Sequence, residues 1–216
     1  AIECIRVGAG VIWASWFRDP QVLLERQRLL ERWFGAEWEW MANERLRSLV
    51  HTRRYHDGLF EPQAFHFHPL KYARGIARAA MAQGVAIHEQ TPAMALERAG
   101  RGWRVRTPEG VVEADQVVLS CGGYLAGLRA EVDAGVLPIA TYVMVTQPLG
   151  TRLDEVMSTQ AAVYDTRFAF DYYRPLPDTR LLWGGRISVL DRSPAEVEKV
   201  LYRDMLKVFP QLDGVR

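Results

Sequence analysis

The run Gln116-Val117-Val118-Leu119-Ser120 passes without a break into Cys121-Gly122-Gly123-Tyr124, and it limits the fold more than any other segment. An unbroken apolar run of strand length suits a strand buried on both faces of a parallel sheet. Glycines directly after it permit close backbone approach to a ligand, and open α/β sheets bind ligands at strand C-terminal ends. A buried strand over 116–120 is therefore expected, with Cys121 as a small buried residue behind it. Ahead of it, His68-Pro69 opens a helix with the apolar stripe Tyr72, Ala73, Ile76, Ala77, Ala80 and Met81, capped by Gly84. Its mostly small side chains would let the helix sit close on a sheet.

Between helix and run the pattern is β. Val85–His88, Ala93–Ala99, Trp103–Arg106 and Val111–Ala114 read as short strands, with Pro108-Glu109-Gly110 as a turn. After Pro138, the segments 139–146, 161–164, 168–174 and 180–184 read as antiparallel strands, and Pro175-Leu176-Pro177-Asp178 is a hairpin turn. Ser193-Pro194-Ala195-Glu196 is a capping box that starts a helix burying Val197, Leu201, Met205 and Val208. At the other end, 5–14 is extended. Asp19-Pro20 starts a helix carrying Leu23, Gln27, Leu30 and Phe34, and Gly35 stops it. A second helical stretch is expected over 36–50, and irregular chain over 55–67 with a turn at Asp57-Gly58.

The fold class is then α/β and α+β. Residues 61–130 form part of an α/β nucleotide-binding unit, and 1–60 with 131–216 form a mainly antiparallel sheet with helices.

The 27 basic and 26 acidic residues leave a net charge of +1, so electrostatics give no reason to expect nucleic acid or an anionic membrane as partner. Cys4 and Cys121 are the only cysteines and lie far apart, which favours a reducing cytoplasm over a disulfide scaffold. No apolar run reaches membrane-span length, and the start resembles neither a signal peptide nor an ordinary N-terminus. Both ends read as cuts within something longer. Strand edges left unpaired would favour self-association or a partner chain.

The ordered set His68-Pro69, the alanine-rich helix, Gly84-Val85-x-Ile87-x-Glu89-x-Thr91-Pro92, the β-meander and Val117 to Tyr124 resembles the D-amino-acid oxidase, glycine oxidase and sarcosine oxidase superfamily. Leu137 to Leu149, Tyr172-Tyr173-Arg174-Pro175 and Arg180-Leu181-Leu182-Trp183-Gly184-Gly185-Arg186 are similar to its gamma-glutamylputrescine oxidoreductase branch. The resemblance implies FAD as cofactor, a partial FAD-binding domain at 61–130 and a discontinuous substrate-binding domain at 1–60 and 131–216. It implies oxidation of a carbon–nitrogen bond in a small amine or amino acid: hydride passes to flavin, the imine hydrolyses, and oxygen reoxidises the flavin. The family's Gly-x-Gly-x-x-Gly turn is absent. Gly8-Ala9-Gly10, with Trp13 where a third glycine would stand, reads as a strand bend. The family's closing C-terminal segment is absent too, so this chain alone is expected to be inactive.

The resemblance implies FAD contacts at Thr91, Pro92 and Ala93, through backbone, and at Ser120, Cys121, Gly122 and Gly123. It turns the strands of Tyr172 and Trp183 toward the flavin ring. Tyr173 and Arg186 are the candidate catalytic residues, and Tyr172, Arg174, Trp183 and Gly185 the candidate substrate-binding ones. A tyrosine would hydrogen-bond the substrate amine or carboxylate, and an arginine would pair a carboxylate or steady reduced flavin. Alternation lets only one of Tyr172 and Tyr173 point inward. His66 and His68 share a strand face, but no carboxylate or cysteine has ligand spacing beside them, so no metal is expected. Trp33, Trp38 and Trp40 are read as packing residues. The alternative function is a non-catalytic remnant or subunit that uses the substrate-domain sheet for protein contact. A nicotinamide dehydrogenase fits the antiparallel layer poorly.

Overall fold

The structure, a computed structural model, describes residues 1–190 and 192–215; Asp191 and Arg216 lie outside them. It divides into two compact units, Ala1–Gly75 with Thr141–Arg216, and Ile76–Ala140.

The first unit is built on a seven-stranded sheet. Strand β1 (Val11–Ala14) is followed by helix α1 (Gln21–Phe34), β2 (Glu39–Met41), α2 (Asn43–Leu49) and β3 (Gly58–Glu61). Helix α3 (Pro69–Ala82) runs across the boundary between the units. The second unit holds the antiparallel meander β4 (Ala95–Ala99), β5 (Gly102–Arg106) and β6 (Val111–Ala114), then the short helix α4 (Ala130–Asp133). The first unit resumes with β7 (Ala140–Val145), β8 (Ala162–Asp165), β9 (Tyr172–Pro175), β10 (Leu181–Ser188) and α5 (Pro194–Val208). The large sheet has the order β2-β3-β1-β8-β9-β10-β7. Most pairs are antiparallel, but β1 and β8 run parallel, with Trp13 opposite Tyr164.

Local chemistry explains the ends of these elements. Asp19 Oδ1 accepts from the Gln21 N–H and starts α1, and Gly35 ends it at φ +62°, a left-handed angle that favours glycine. The Ser193–Glu196 capping box forms as the sequence suggests, and Leu201, Met205 and Val208 go into the core. Gly10, at φ +77°, lies against Phe60 and the Glu61 carbonyl, with no room for a Cβ. The Gly8–Gly10 segment is therefore a bend beside β3, not a phosphate loop.

Several expectations are corrected. The stretch 36–50 is not one helix: Glu39–Met41 bonds to β3 as β2 before α2 begins. Residues 58–61 are a strand, because β1 and β2 flank them on both sides. Residues Val85–His88 and 116–120 form no strand, since neither pairs with a neighbouring strand among the described residues; the Val85 N–H donates instead to the Ala80 carbonyl of α3. Val118 is 85% exposed, and Cys121 is exposed rather than buried. Helix α3 forms with Gly84 behind it at φ +88°, but Tyr72, Ile76 and Met81 of its stripe are exposed; Gly75, pressed on Ile2, is the buried position. Phe34 of α1 is also exposed.

Candidate functional site

Strand alternation gives the large sheet two faces. One carries Ile12, Ala14, Val163, Tyr173 and Trp183 into the core, where α5 and its neighbours cover them. The other carries Trp13, Ala162, Tyr164, Tyr172, Arg174, Leu182 and Gly184. On β8, β9 and β10 the side chains of that second face are only half-buried, with Gly184 buried among them.

An aromatic run lies along the second face. Trp13 stacks on Tyr164 at 5.7 Å, Tyr164 meets Phe170 at 5.8 Å, and Phe170 meets Tyr172 at 6.0 Å between ring centroids. The Tyr172 side chain lies across Gly184, where an added Cβ would come within 2.5 Å of two ring carbons and the phenol oxygen. Burial pushes the Tyr164 hydroxyl up to about 12 and also raises Tyr172, so both phenols stay protonated at neutral pH. Arg174 is held at one side of this run. It donates to His66 Nδ1 at 2.9 Å and to the Phe67 carbonyl at 3.1 Å. Burial pulls its pKa down, and no carboxylate pairs with it among the described residues.

On the core side lies a polar cluster. Asp165 accepts from the Arg167 guanidinium at 2.6 Å and from the Asp171 backbone N–H at 3.1 Å, while Asp171 also accepts from Arg167. Both carboxylates are buried, and the guanidinium lies 3.7 Å from the Trp16 ring centroid. Asp171 Oδ1, Tyr55 Oη, Tyr173 Oη and Trp183 Nε1 are buried without a hydrogen-bond partner among the described residues.

Burial pushes the Asp171 carboxyl up to about 6, with Arg167 opposing and Asp165 and Asp204 adding to the rise. Between its ordinary value of 3.8 and about 6, the folded chain keeps a proton that the unfolded chain has released. This group's contribution to stability therefore falls as pH rises through that window, by about 3 kcal/mol for a shift of roughly two units. Denaturation of wild type and Asp171→Asn at pH 4 to 7 should show the wild type losing that much relative to the variant. Parallel pH profiles would refute the assignment.

The sequence-proposed residues separate on this geometry. Tyr172 and Arg174 come together on the half-buried face, with Gly184 beneath the Tyr172 ring. Tyr173 and Trp183 stack on each other at 4.6 Å inside the core, and neither side chain reaches the other face. Arg186, at φ +61°, turns to the core side and donates to Asp204 at 2.7 Å; Lys207 donates to the same carboxylate at 2.8 Å. Gly185 lies against Asp171. Sequence reasoning passed over Tyr164, Phe170 and the Asp165-Arg167-Asp171 clamp. Tyr164 shares the face of Tyr172 through strand pairing, and the alternation of 162–165 was the available signal.

In the second unit, Thr91, Pro92 and Ala93 precede β4, and Ser120 to Gly123 form an exposed turn. Nothing stands within 4 Å of the place where a Cβ on Gly122 would be, and φ there is +54°. An exposed glycine backbone of this kind leaves room for a cofactor chain to lie close to Gly122.

Comparison with known proteins bears on the same question. The family described as FAD dependent oxidoreductase matches residues 1–216. The gamma-glutamylputrescine oxidoreductase of Escherichia coli (strain K12) is 30% identical over 217 residues, covering 100% of this chain and 51% of that protein. A probable oxidoreductase OrdL of Rhizobium meliloti (strain 1021) is 30% identical over 175 residues, covering 81% of this chain and 41% of its own length. The chain thus spans about half the length of the curated relatives it matches. Among solved structures, the glycine oxidase of Geobacillus kaustophilus superposes with a TM-score of 0.77 at 19% identity, over 100% of this chain and 58% of that one.

Proposed function

Since the chain belongs to the FAD dependent oxidoreductase family, we propose that the gene product containing it oxidises a carbon–nitrogen bond of a small amine or amino acid that carries a carboxylate. FAD is the family's cofactor. When bound, it would supply the hydride acceptor for oxidation of that carbon–nitrogen bond, with the imine product then hydrolysed and oxygen as the final acceptor. The observation that carries the reading is Arg174, a half-buried guanidinium on the same face as Tyr172, with no carboxylate partner among the described residues.

The chain's own residues divide the work. Arg174 pairs the substrate carboxylate through planar N–H donors. Tyr164, Phe170 and Tyr172 line the face beside it, and their ring faces attract an ammonium group before it loses its proton. In the second unit, Thr91, Pro92 and Ala93 and the Ser120, Cys121, Gly122 and Gly123 backbone hold FAD. Tyr173, Trp183 and Arg186 support the strands from the core side. Cys4 and Cys121, both free thiols, suit a reducing cytoplasm. Among the described residues, no helix is long and apolar enough to cross a membrane.

The test is a visible spectrum of the purified full-length gene product, before and after anaerobic addition of amines with and without a carboxylate. A flavin spectrum that bleaches with the carboxylate-bearing amines supports the reading, and a protein without flavin sinks it. A second reading is a non-catalytic module that meets a protein partner through its sheet. It draws on the exposed Val143 and Val145 of the edge strand β7. A stably folded, flavin-free protein would favour it.

A further inference from the structure

His66 lies outside every strand of the large sheet, yet its ring is tied at both nitrogens. Nδ1 stands 2.9 Å from the Arg174 Nη1, and Nε2 stands 2.8 Å from the Gln160 carbonyl oxygen. The two partners determine the proton's place. A guanidinium only donates, so Nδ1 must be the acceptor; a carbonyl only accepts, so Nε2 must carry the hydrogen. The imidazole is therefore neutral, in the Nε2–H form. Its backbone is anchored as well, exchanging hydrogen bonds with Val7 at 2.8 and 3.0 Å. Burial and the neighbouring Arg174 charge lower the His66 pKa, with the Gln160 carbonyl opposing, in keeping with the neutral ring.

Arg174 has five N–H donors. One goes to His66 and one to the Phe67 carbonyl, so three remain uncommitted among the described residues. A guanidinium on a long, rotatable stem loses much side-chain entropy when it must find a ligand unaided. One held on two fixed acceptors presents its remaining donors in a set direction.

We propose that His66 is a positioning residue, whose neutral ring holds the Arg174 guanidinium across the half-buried face so that its remaining N–H donors receive the substrate carboxylate. This rests on the role given to Arg174 under the proposed function.

The experiment uses the FAD-loaded full-length protein with acetate as the carboxylate probe, its dissociation constant read by isothermal titration. Four proteins are compared: wild type, Arg174→Met, His66→Leu and His66→Gln. Thermal midpoints and flavin content are recorded for each. Arg174→Met should remove acetate binding. His66→Leu, which has no acceptor, should weaken it about tenfold, the worth of one hydrogen bond to a charged group. His66→Gln keeps an acceptor oxygen and should restore affinity to within about threefold of wild type by the same reasoning. Binding lost in Arg174→Met but unchanged in His66→Leu overturns the role of His66 and leaves the site reading intact. Unchanged binding in Arg174→Met overturns the site reading, and the His66 role falls with it. Imidazole 15N shifts of the wild type give an independent check if His66→Leu does not fold. They should show a protonated Nε2 and a bare Nδ1, and a protonated Nδ1 overturns the proposal.

Discussion

Replacing Arg167 by leucine should destabilise the protein by about 3–5 kcal/mol, the range for removing one partner from a buried ion pair. The guanidinium serves two buried carboxylates at once. Asp165 takes two of its N–H groups, at 3.0 and 2.6 Å, and Asp171 takes another. Although burial opposes it, these hydrogen bonds hold the Arg167 pKa above its ordinary value. Without the arginine, two carboxyls would face each other out of water beside the buried hydroxyls of Tyr55 and Tyr173, and Asp171, no longer held down by Arg167, would be driven further toward its protonated form. Arg54, whose guanidinium lies 3.4 Å from the centroid of the Trp16 ring, is close enough to feel the Asp165 charge. Urea denaturation at pH 7 reads the loss. Adding Asp171→Asn to Arg167→Leu should return part of it, because Asp165 then no longer faces a second buried acid that must be kept protonated at pH 7. A loss below about 1 kcal/mol, the ordinary range for exposed ion pairs, would mean that the clamp is solvated.

That clamp was not legible in the sequence, although its three residues sit within seven positions. Asp165, Arg167 and Asp171 look like surface charges until β8 and β9 pair and draw the loop between them inward. What could be read was local. The Gly35 stop, the Ser193 capping box, the β4–β6 meander and the β9–β10 hairpin all rest on contacts a few residues apart. What could not be read depends on distant partners. Glu39–Met41 looked helical, and only β3 makes it a strand. The apolar run 116–120 has strand composition, but no partner among the described residues bonds to it. The pair Tyr172–Tyr173 shows the same limit at the site. Alternation says that the two rings part, but which one meets the core depends on Trp183 and Phe209 behind the sheet. His66 gained a role only from Gln160 and Arg174, separated from it by 94 and 108 positions.

The parity of β9 and β10 can be tested by separating stability from substrate binding. Trp183→Ala should cost about 3–5 kcal/mol, the usual loss for truncating a buried tryptophan. The indole is fully buried, stacked on Tyr173 with the planes 2° apart, and it meets Phe209 edge-on at 6.0 Å. Alanine leaves a cavity between rings fixed on a strand and at the end of α5, where little can move to fill it. Tyr172→Leu, one strand over and on the other face, should cost less than about 1 kcal/mol, since its ring is only half-buried and Gly184 beneath it is relieved of contact. Its effect should appear in the KM for the amine instead, because the ring leaves the face that Arg174 shares. Denaturation curves and steady-state kinetics on the two full-length variants give both quantities. If Trp183→Ala instead stays stable and alters KM while Tyr172→Leu unfolds, the faces are reversed. The substrate would then meet Tyr173 and Trp183, and the assignments of Arg174 and His66 would go with the old face.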